Sequence, residues 1–260
     1  MKRYNQCMNI SQQEAALLER FRHGRRHPRL AVLEGLHAVK HALRFGAVIK
    51  EAVTDQKDVP LEIARQLAPD TVEWLRSNLK LVSSALFERL VPVTPSSRVI
   101  AIAERSLVDV PNLLRRPRRA PVILLERPTN LGNLGAVVRV AAAVGAEAVL
   151  TTGHNDPWHP VAIRGSAGLH YAISVGRCDA SYRDLRHIVA IDPEGEGLVP
   201  GMIPDDSVVA FGSERTGLSD QLRAAATHRV GIPMEQGVSS LNLATSVAVV
   251  MYVWRLTRAT

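Results

Sequence analysis

Two cysteines, Cys7 and Cys178, are all that this chain of 260 residues carries. Two thiols cannot build a disulfide framework or a four-thiolate zinc site, and no Cys-x-x-Cys occurs; free thiols suit a reducing compartment. No His, Cys and Asp residues fall at metal-ligand spacing, so no metal is expected. Aromatic residues are 4% of the chain, thin for a protein that reads nucleic acid by stacking many bases on exposed rings. The longest apolar run, Val247–Trp254, is far short of the roughly 18–20 residues that span a bilayer. The opening MKRYNQCMNISQQEAALLERF has no apolar core of the kind a secretory signal needs. These absences predict a soluble cytoplasmic protein without a membrane partner.

What is present is a foldable, basic chain. It is 46% hydrophobic, enough to bury a core and to exclude wholesale disorder. Its length fits a small domain of about 100 residues and a larger one of about 150. The net charge of +7 is unevenly placed. Residues 1–120 hold 21 Lys and Arg against 12 Asp and Glu, whereas residues 121–260 hold 11 against 13. One basic cluster comprises Arg20, Arg22, Arg25, Arg26 and Arg29 with His23 and His27; a second comprises Arg115, Arg116, Arg118 and Arg119. Either is a solvated face or a phosphate-binding surface. Many arginines with almost no interleaved aromatics fit backbone contact with a polyanion better, and Arg22, Arg25, Arg26 and Arg29 are the expected phosphate contacts.

Local pattern divides the chain. Residues 30–55 read as strand, helix closed by Gly46, and strand; 61–68 and 71–76 read as helical, 79–82 as extended and 98–103 as a strand. Short strands alternating with helices predict an α/β module over residues 1–105. Residues 106–120, with prolines and four arginines, read as a linker unable to sustain helix or sheet. From residue 121 onward, six short apolar strands are expected at 122–125, 148–150, 173–175, 188–191, 207–211 and 230–232. A helix is expected at 134–144 and another from Ser240 to about Leu256. That alternation predicts a mainly parallel sheet covered on both faces. Ligands of such sheets bind beyond the carboxyl ends of the strands.

Three segments fall at those ends. The first, Asn130 to Arg139, follows a strand and opens a helix, a place that favours anions. The spacing of Gly132 and Gly135 excludes the Gly-x-Gly-x-x-Gly dinucleotide fingerprint. Arg139, in an otherwise Ala- and Val-rich helix, is expected to need a partner. The second, Phe211 to Ser219, carries two glycines, implying close backbone approach; Glu214 either caps the next helix or serves a site. In the third, Ile232 to Ala248, Ser240 is a reasonable helix cap. Asn242, read as lying inside the first helical turn, is expected to be buried and partnered.

In this order and spacing the segments resemble the SpoU (TrmH-like) family of RNA ribose 2′-O-methyltransferases, within the SPOUT superfamily. Asn133, Gly135 and Arg139 match its N-x-G-x-x-x-R motif, Phe211 to Leu218 match F-G-x-E-x-x-G-L, and Ile232-Pro-Met followed by Ser240-Leu-Asn matches I-P-M…S-L-N. Arg164, Ser166 and Gly168 resemble its R-x-S-x-G stretch, and Glu34-Gly-Leu-His-Ala-Val resembles the opening of an L30e-like RNA-binding domain. The resemblance implies a C-terminal trefoil-knotted α/β domain that binds S-adenosylmethionine, an N-terminal L30e-like domain for RNA, and a homodimer. It implies Gly212, Ile232, Leu241 and Thr151 at the cofactor, with Thr152 nearby. It implies Asn133, Arg139, Glu214, Ser240 and Asn242 at the active site. The chain departs from the pattern at Ser239, where an acidic residue often stands, and at Pro95–Arg98, where a Gln-Gly turn is expected.

Methyl transfer to a ribose requires a 2′-hydroxyl to lose its proton while attacking a sulfonium methyl in line, so the protein must orient both groups and stabilise an alkoxide-like oxygen. Family accounts make the arginine the general base. A guanidinium is effectively always protonated, which favours phosphate holding and charge stabilisation by Arg139 and leaves the base open. An L30e-like module favours rRNA as substrate; the alternatives are a tRNA methyltransferase and a catalytically silent RNA-binding protein.

Overall fold

The computed structural model describes residues 2–179, 181 and 185–258, with side chains from residue 11 onward; the Cys7 side chain therefore lies outside the described residues. The chain divides into two compact units, Met1–Arg105 and Ser106–Thr260. No helix among the described residues is long and apolar enough to cross a membrane.

The first unit begins with helix α1 (Lys2–Arg26), which sequence pattern did not reveal. Then follow β1 (Leu30–Glu34), α2 (Leu36–Arg44), β2 (Ile49–Thr54), α3 (Asp58–Leu67), α4 (Val72–Asn78), β3 (Leu79–Leu81), α5 (Ser84–Leu90) and β4 (Ile100–Glu104). The sheet runs β1-β4-β2-β3, with β4 antiparallel to both neighbours. Leu17, Leu18 and Phe21 of α1 pack against Val32, Val53, Phe87, Ile100 and Ile102. Gly24 continues that stripe where a Cβ would lie 3.3 Å from a Val32 methyl, so the helix end can approach the sheet closely. Each fully buried large side chain in such a core is worth about 1.5–3 kcal/mol.

This packing divides the first arginine cluster. Arg25 donates to the buried carboxylate of Glu34 (2.9 Å), and Arg20 donates to Glu51 (2.7 Å), which also accepts from Lys80 (3.0 Å). Burial raises the Glu51 carboxyl, but the two cations outweigh it and hold it below its ordinary range. Arg25 was expected to meet RNA phosphate; in the fold it neutralises Glu34. Arg22, Arg26 and Arg29 are exposed.

The second unit contains α6 (Val110–Arg115), β5 (Val122–Leu125), α7 (Leu131–Val144), β6 (Ala148–Thr151), α8 (Pro160–Gly165), β7 (Ser174–Arg177), β8 (Ile188–Gly197), β9 (Val208–Phe211), α9 (Asp220–Ala225), β10 (His228–Gly231) and α10 (Leu243–Thr257). The six strands among its described residues run in the order β10-β8-β9-β5-β6-β7, every pair parallel. Leu113 and Leu114 of α6 and Leu222 of α9 pack on the face made by Val122, Leu124, Leu150, Ala190 and Val208. The alternate residues Ile123, Leu125, Val149 and Val209 are equally buried, so apolar surface is covered on both sides. This is the parallel sheet that the six apolar runs predicted.

Residues 106–120 contradict the expectation of a structureless linker. Asp109 caps α6 by accepting from Asn112 N–H (3.1 Å), and Pro111 occupies the first turn, where a missing N–H costs nothing. Arg118 is buried; it donates to the carbonyls of Leu113 (3.2 Å), Leu114 (3.0 Å) and Asp206 (3.0 Å). Burial pushes its guanidinium below the ordinary range despite the nearby carboxylates of Asp206 and Glu147. Arg116 pairs with Glu147. Half of this basic cluster thus closes a helix end and the sheet beside it.

Candidate active site at the carboxyl ends of the second sheet

The loops after β5, β9 and β10, with residues of β8, line a cleft of about 1070 Å³, at the upper end of the ~300–1,000 Å³ usual for small-molecule sites. All three sequence segments reach it: Asn133, Gly212, Glu214, Ile232, Ser240, Leu241 and Asn242 line it. Arg139 and Thr151 do not.

A hydrogen-bonded chain crosses the cleft. Asn242 Nδ2 donates to Asn133 Oδ1 (3.1 Å), and Asn133 Nδ2 donates to Glu214 Oε1 (3.1 Å). The other Glu214 oxygen accepts from the backbone N–H (3.1 Å) and hydroxyl (2.9 Å) of Thr129. Burial raises the Glu214 carboxyl, but hydrogen bonds from its own backbone, Asn133 and Thr129 outweigh that and hold it below the usual carboxylate range. Glu214 is therefore a charged acceptor that fixes the Asn133 amide, which in turn orients Asn242.

Local chemistry explains how each segment is shaped. Asn130 Oδ1 accepts from Gly132 (2.8 Å) and Asn133 (3.1 Å) N–H groups, so the start of α7 is capped internally. Two of the N–H groups expected to favour an anion there are thereby engaged. A Cβ on Gly135 would overlap the Ala162 carbonyl oxygen and lie 2.8 Å from Gly165 Cα: the motif glycine lets α7 and α8 touch backbone to backbone. In the second segment, Ser213 and Gly217 exchange two backbone hydrogen bonds (3.1 and 3.0 Å). A Cβ on Gly212 would overlap the Gly217–Leu218 peptide. Buried Glu126, just beyond β5, accepts from the Ser219 backbone and hydroxyl, both at 2.7 Å, tying this turn to the first segment.

The third segment corrects two expectations. The cap of α10 is Asn242, whose Oδ1 accepts from Ala244 N–H (2.9 Å), and the helix starts at Leu243. Ser240 lines the cleft ahead of the helix and does not cap it. Asn242 is exposed rather than buried, because an asparagine satisfies an orphan helix N–H best from the cap position. Arg139 is likewise exposed on α7; water solvates it within the single chain, so the buried partner that its apolar neighbours suggested is not required. Thr151 is the fully buried last residue of β6, away from the cleft lining. Within the R-x-S-x-G stretch Arg164 is exposed, whereas Ser166 is buried and structural: its Oγ meets His170 Nδ1 (2.7 Å), and His170 Nε2 meets the Pro157 carbonyl (2.8 Å).

Pattern reading missed Thr129 and Asp192. Asp192, buried in the cleft wall, accepts from Arg229 (3.2 Å) and the Glu194 backbone (3.0 Å). Its readable signal was a carboxylate directly after the apolar run Ile188–Ile191.

Residues 120–252 match the sequence model of the SpoU rRNA Methylase family. The chain belongs to the SpoU rRNA methylase family. It is 28% identical over 242 residues to an uncharacterised tRNA/rRNA methyltransferase of Synechocystis sp., covering 88% of this chain and 85% of that one. It is 26% identical to the 23S rRNA (adenosine(1067)-2′-O)-methyltransferase of Streptomyces laurentii, covering 89% and 87%. The fold matches the SpoU methyltransferase AviRb of Streptomyces viridochromogenes, solved with S-adenosylmethionine, at a TM-score of 0.76 and 22% identity over 94% of this chain and 98% of that one. The family resemblance carried by the three segments is thus borne out, and SpoU membership makes the cleft the candidate active site.

One consequence of the Glu214 contacts is pH dependence. Its folded pKa is lowered, so the folded state binds fewer protons than the unfolded one. The stabilisation is therefore present above the ordinary carboxylate pKa and is lost as pH falls through the lowered value. Glu214→Gln should be less stable than wild type at neutral pH, by no more than about 1 kcal/mol because the residue is exposed and screened. Thermal denaturation across pH should show this gap closing in acid; a gap independent of pH would refute the assignment.

Proposed function

We propose that this protein is an S-adenosylmethionine-dependent rRNA ribose 2′-O-methyltransferase of the cytoplasm, acting as a homodimer. The observation that carries the reading is the convergence of Asn133, Glu214 and Asn242 in one hydrogen-bonded chain across the cleft. The cleft suits the cofactor: its wall includes a backbone turn so tight that Gly212 admits no Cβ. Gly212, Ile232 and Leu241, all in the lining, would hold it. When bound, S-adenosylmethionine supplies an electrophilic methyl group. Glu214 and Asn133 hold the loops of the first two segments together, Asn242 extends the network to the third, and Ser240 offers a hydroxyl at the rim. Arg139 would hold a substrate phosphate and stabilise negative charge developing on the ribose oxygen.

The first unit we read as an L30e-like RNA-binding domain, with Arg22, Arg26 and Arg29 as its available phosphate contacts. For the second unit we propose the knotted threading of the family. Dimerisation is supported by α10, where Val249, Tyr252 and Leu256 form a stripe at helical spacing whose last two members are 45% and 65% exposed. A second copy would cover it. It would also explain how Arg139, outside the cleft of one chain, meets the substrate. In RNA from cells with and without the gene, ribose-methylation mapping should show one rRNA position losing its mark when the gene is absent. A gene-dependent mark in tRNA would replace the substrate, and no gene-dependent ribose mark would overturn the function.

A further inference from the structure

We propose that Arg127 and Arg177 form a phosphate-binding rail for the RNA beside the cleft, on the catalytic unit itself; this rests on the reading that the substrate is RNA. Strands β5, β6 and β7 are neighbours and parallel, so the chain just beyond β5, the turn beyond β6 and the end of β7 lie along one edge. Arg127, Gly153 and Arg177 occupy those three positions.

The edge is built around Arg127. Its backbone is left-handed, with φ 49°, and it precedes Pro128, a position where sterics favour extended backbone. Glycine or asparagine would adopt this conformation at lower cost, so the backbone alone gives no reason for an arginine here. The surroundings hold it in place. Arg127 N–H donates to Thr152 Oγ1 (3.1 Å), and Asn155 Nδ2 donates to the Pro128 carbonyl (2.8 Å). Gly153, itself at φ 85°, passes so close that a Cβ there would lie 3.1–3.3 Å from the Arg127 side chain and Cα. Arg177 anchors one guanidinium nitrogen on the Gly153 carbonyl (2.6 Å), leaving its other donors directed elsewhere. Both arginines are exposed, and neither forms an ion pair with a carboxylate among the described residues. Strained backbone held by neighbours is characteristic of functional positions, and exposed guanidiniums are suited to bidentate phosphate contact. Thr129, in the cleft lining, is two residues from Arg127, at most about 7 Å of extended chain. A phosphate held there would flank the nucleotide in the cleft.

The test measures binding of the full chain to in vitro transcribed fragments tiling 16S and 23S rRNA, over a range of salt, for wild type, Arg127→Gly, Arg177→Gln and the double variant. Each lost phosphate contact should flatten the slope of log K against log salt by about 0.7–0.9, and the double variant by about 1.5. Arg127→Gly should keep or raise Tm, because glycine relieves the positive φ, and S-adenosylmethionine affinity should stay within about twofold in all variants, since neither side chain lines the cleft. A merely structural Arg127 would lower Tm and leave the slope alone. Wild-type binding with unchanged slopes in the variants overturns the rail and leaves the function standing. If wild type binds no fragment, the rRNA reading falls and the rail with it.

Discussion

Arg139→Ala is expected to cut methyl transfer by about 100-fold or more, the loss seen when one transition-state charge contact is removed, or roughly 2.7 kcal/mol of barrier. Cofactor affinity and Tm should barely move. Arg139 is exposed and absent from the cleft lining, so its truncation removes no cofactor contact of its own chain, and alanine is at least as good a helix former at that position. The split is the diagnostic. A stability role would lower Tm, and a cofactor role would weaken S-adenosylmethionine binding. Single-turnover transfer with saturating cofactor, beside a direct binding titration, separates the cases. Activity within about tenfold of wild type, about 1.4 kcal/mol, would make Arg139 an ordinary solvated residue.

Gly135→Ala should destabilise the second unit strongly. The added Cβ would overlap the Ala162 carbonyl oxygen and crowd Gly165 Cα and Ser166 N. All three are backbone atoms of α8 and its cap, so no side chain can rotate away. Overpacking of this kind costs about 1–3 kcal/mol. For a unit of this size that is a fall in Tm of roughly 2–12 °C. Because α7 also carries Asn133, separation of α7 from α8 should loosen the cleft and weaken cofactor binding. Gly145→Ala, at the other end of the helix, where a Cβ would meet only an Arg255 side-chain nitrogen at 4.0 Å but φ is 74°, tests backbone strain without a clash. Equal losses at the two sites would show that close packing is not what Gly135 provides.

Strand positions in the second unit were legible because a strand buried on both faces is a short continuous apolar run bounded by turn residues, and β5 and β9 meet that description residue for residue. Less was legible where the signal was diluted. Helix α1 buries Leu17, Leu18 and Phe21 in one polar 25-residue span, and its arginines drew attention to charge instead of to the apolar stripe. Helices α8 and α9, of six residues each, are too short to show a 3.6-residue period. Of the nominated site residues, those in the segments beyond strand ends converged on the cleft, namely Asn133 in the first turn of α7 and Gly212, Glu214, Ile232, Ser240, Leu241 and Asn242. Thr151 belonged to a strand and was buried with it.

The amino-acid sequence by itself determined the α/β class, the parallel sheet, the end of that sheet where the three motif segments gather and the family, because each depends on local periodicity or on residues close together in the chain. Only the tertiary structure decided what individual polar groups do. Arg25 and Arg118 became internal ion-pair and carbonyl partners while Arg22 and Arg127 stayed in water, although all four read alike as basic residues. The reason is that a charged side chain takes its role from the groups that the fold brings within about 3 Å of it. Those groups, Glu34 for Arg25 and the Asp206 backbone for Arg118, come from elsewhere in the sequence.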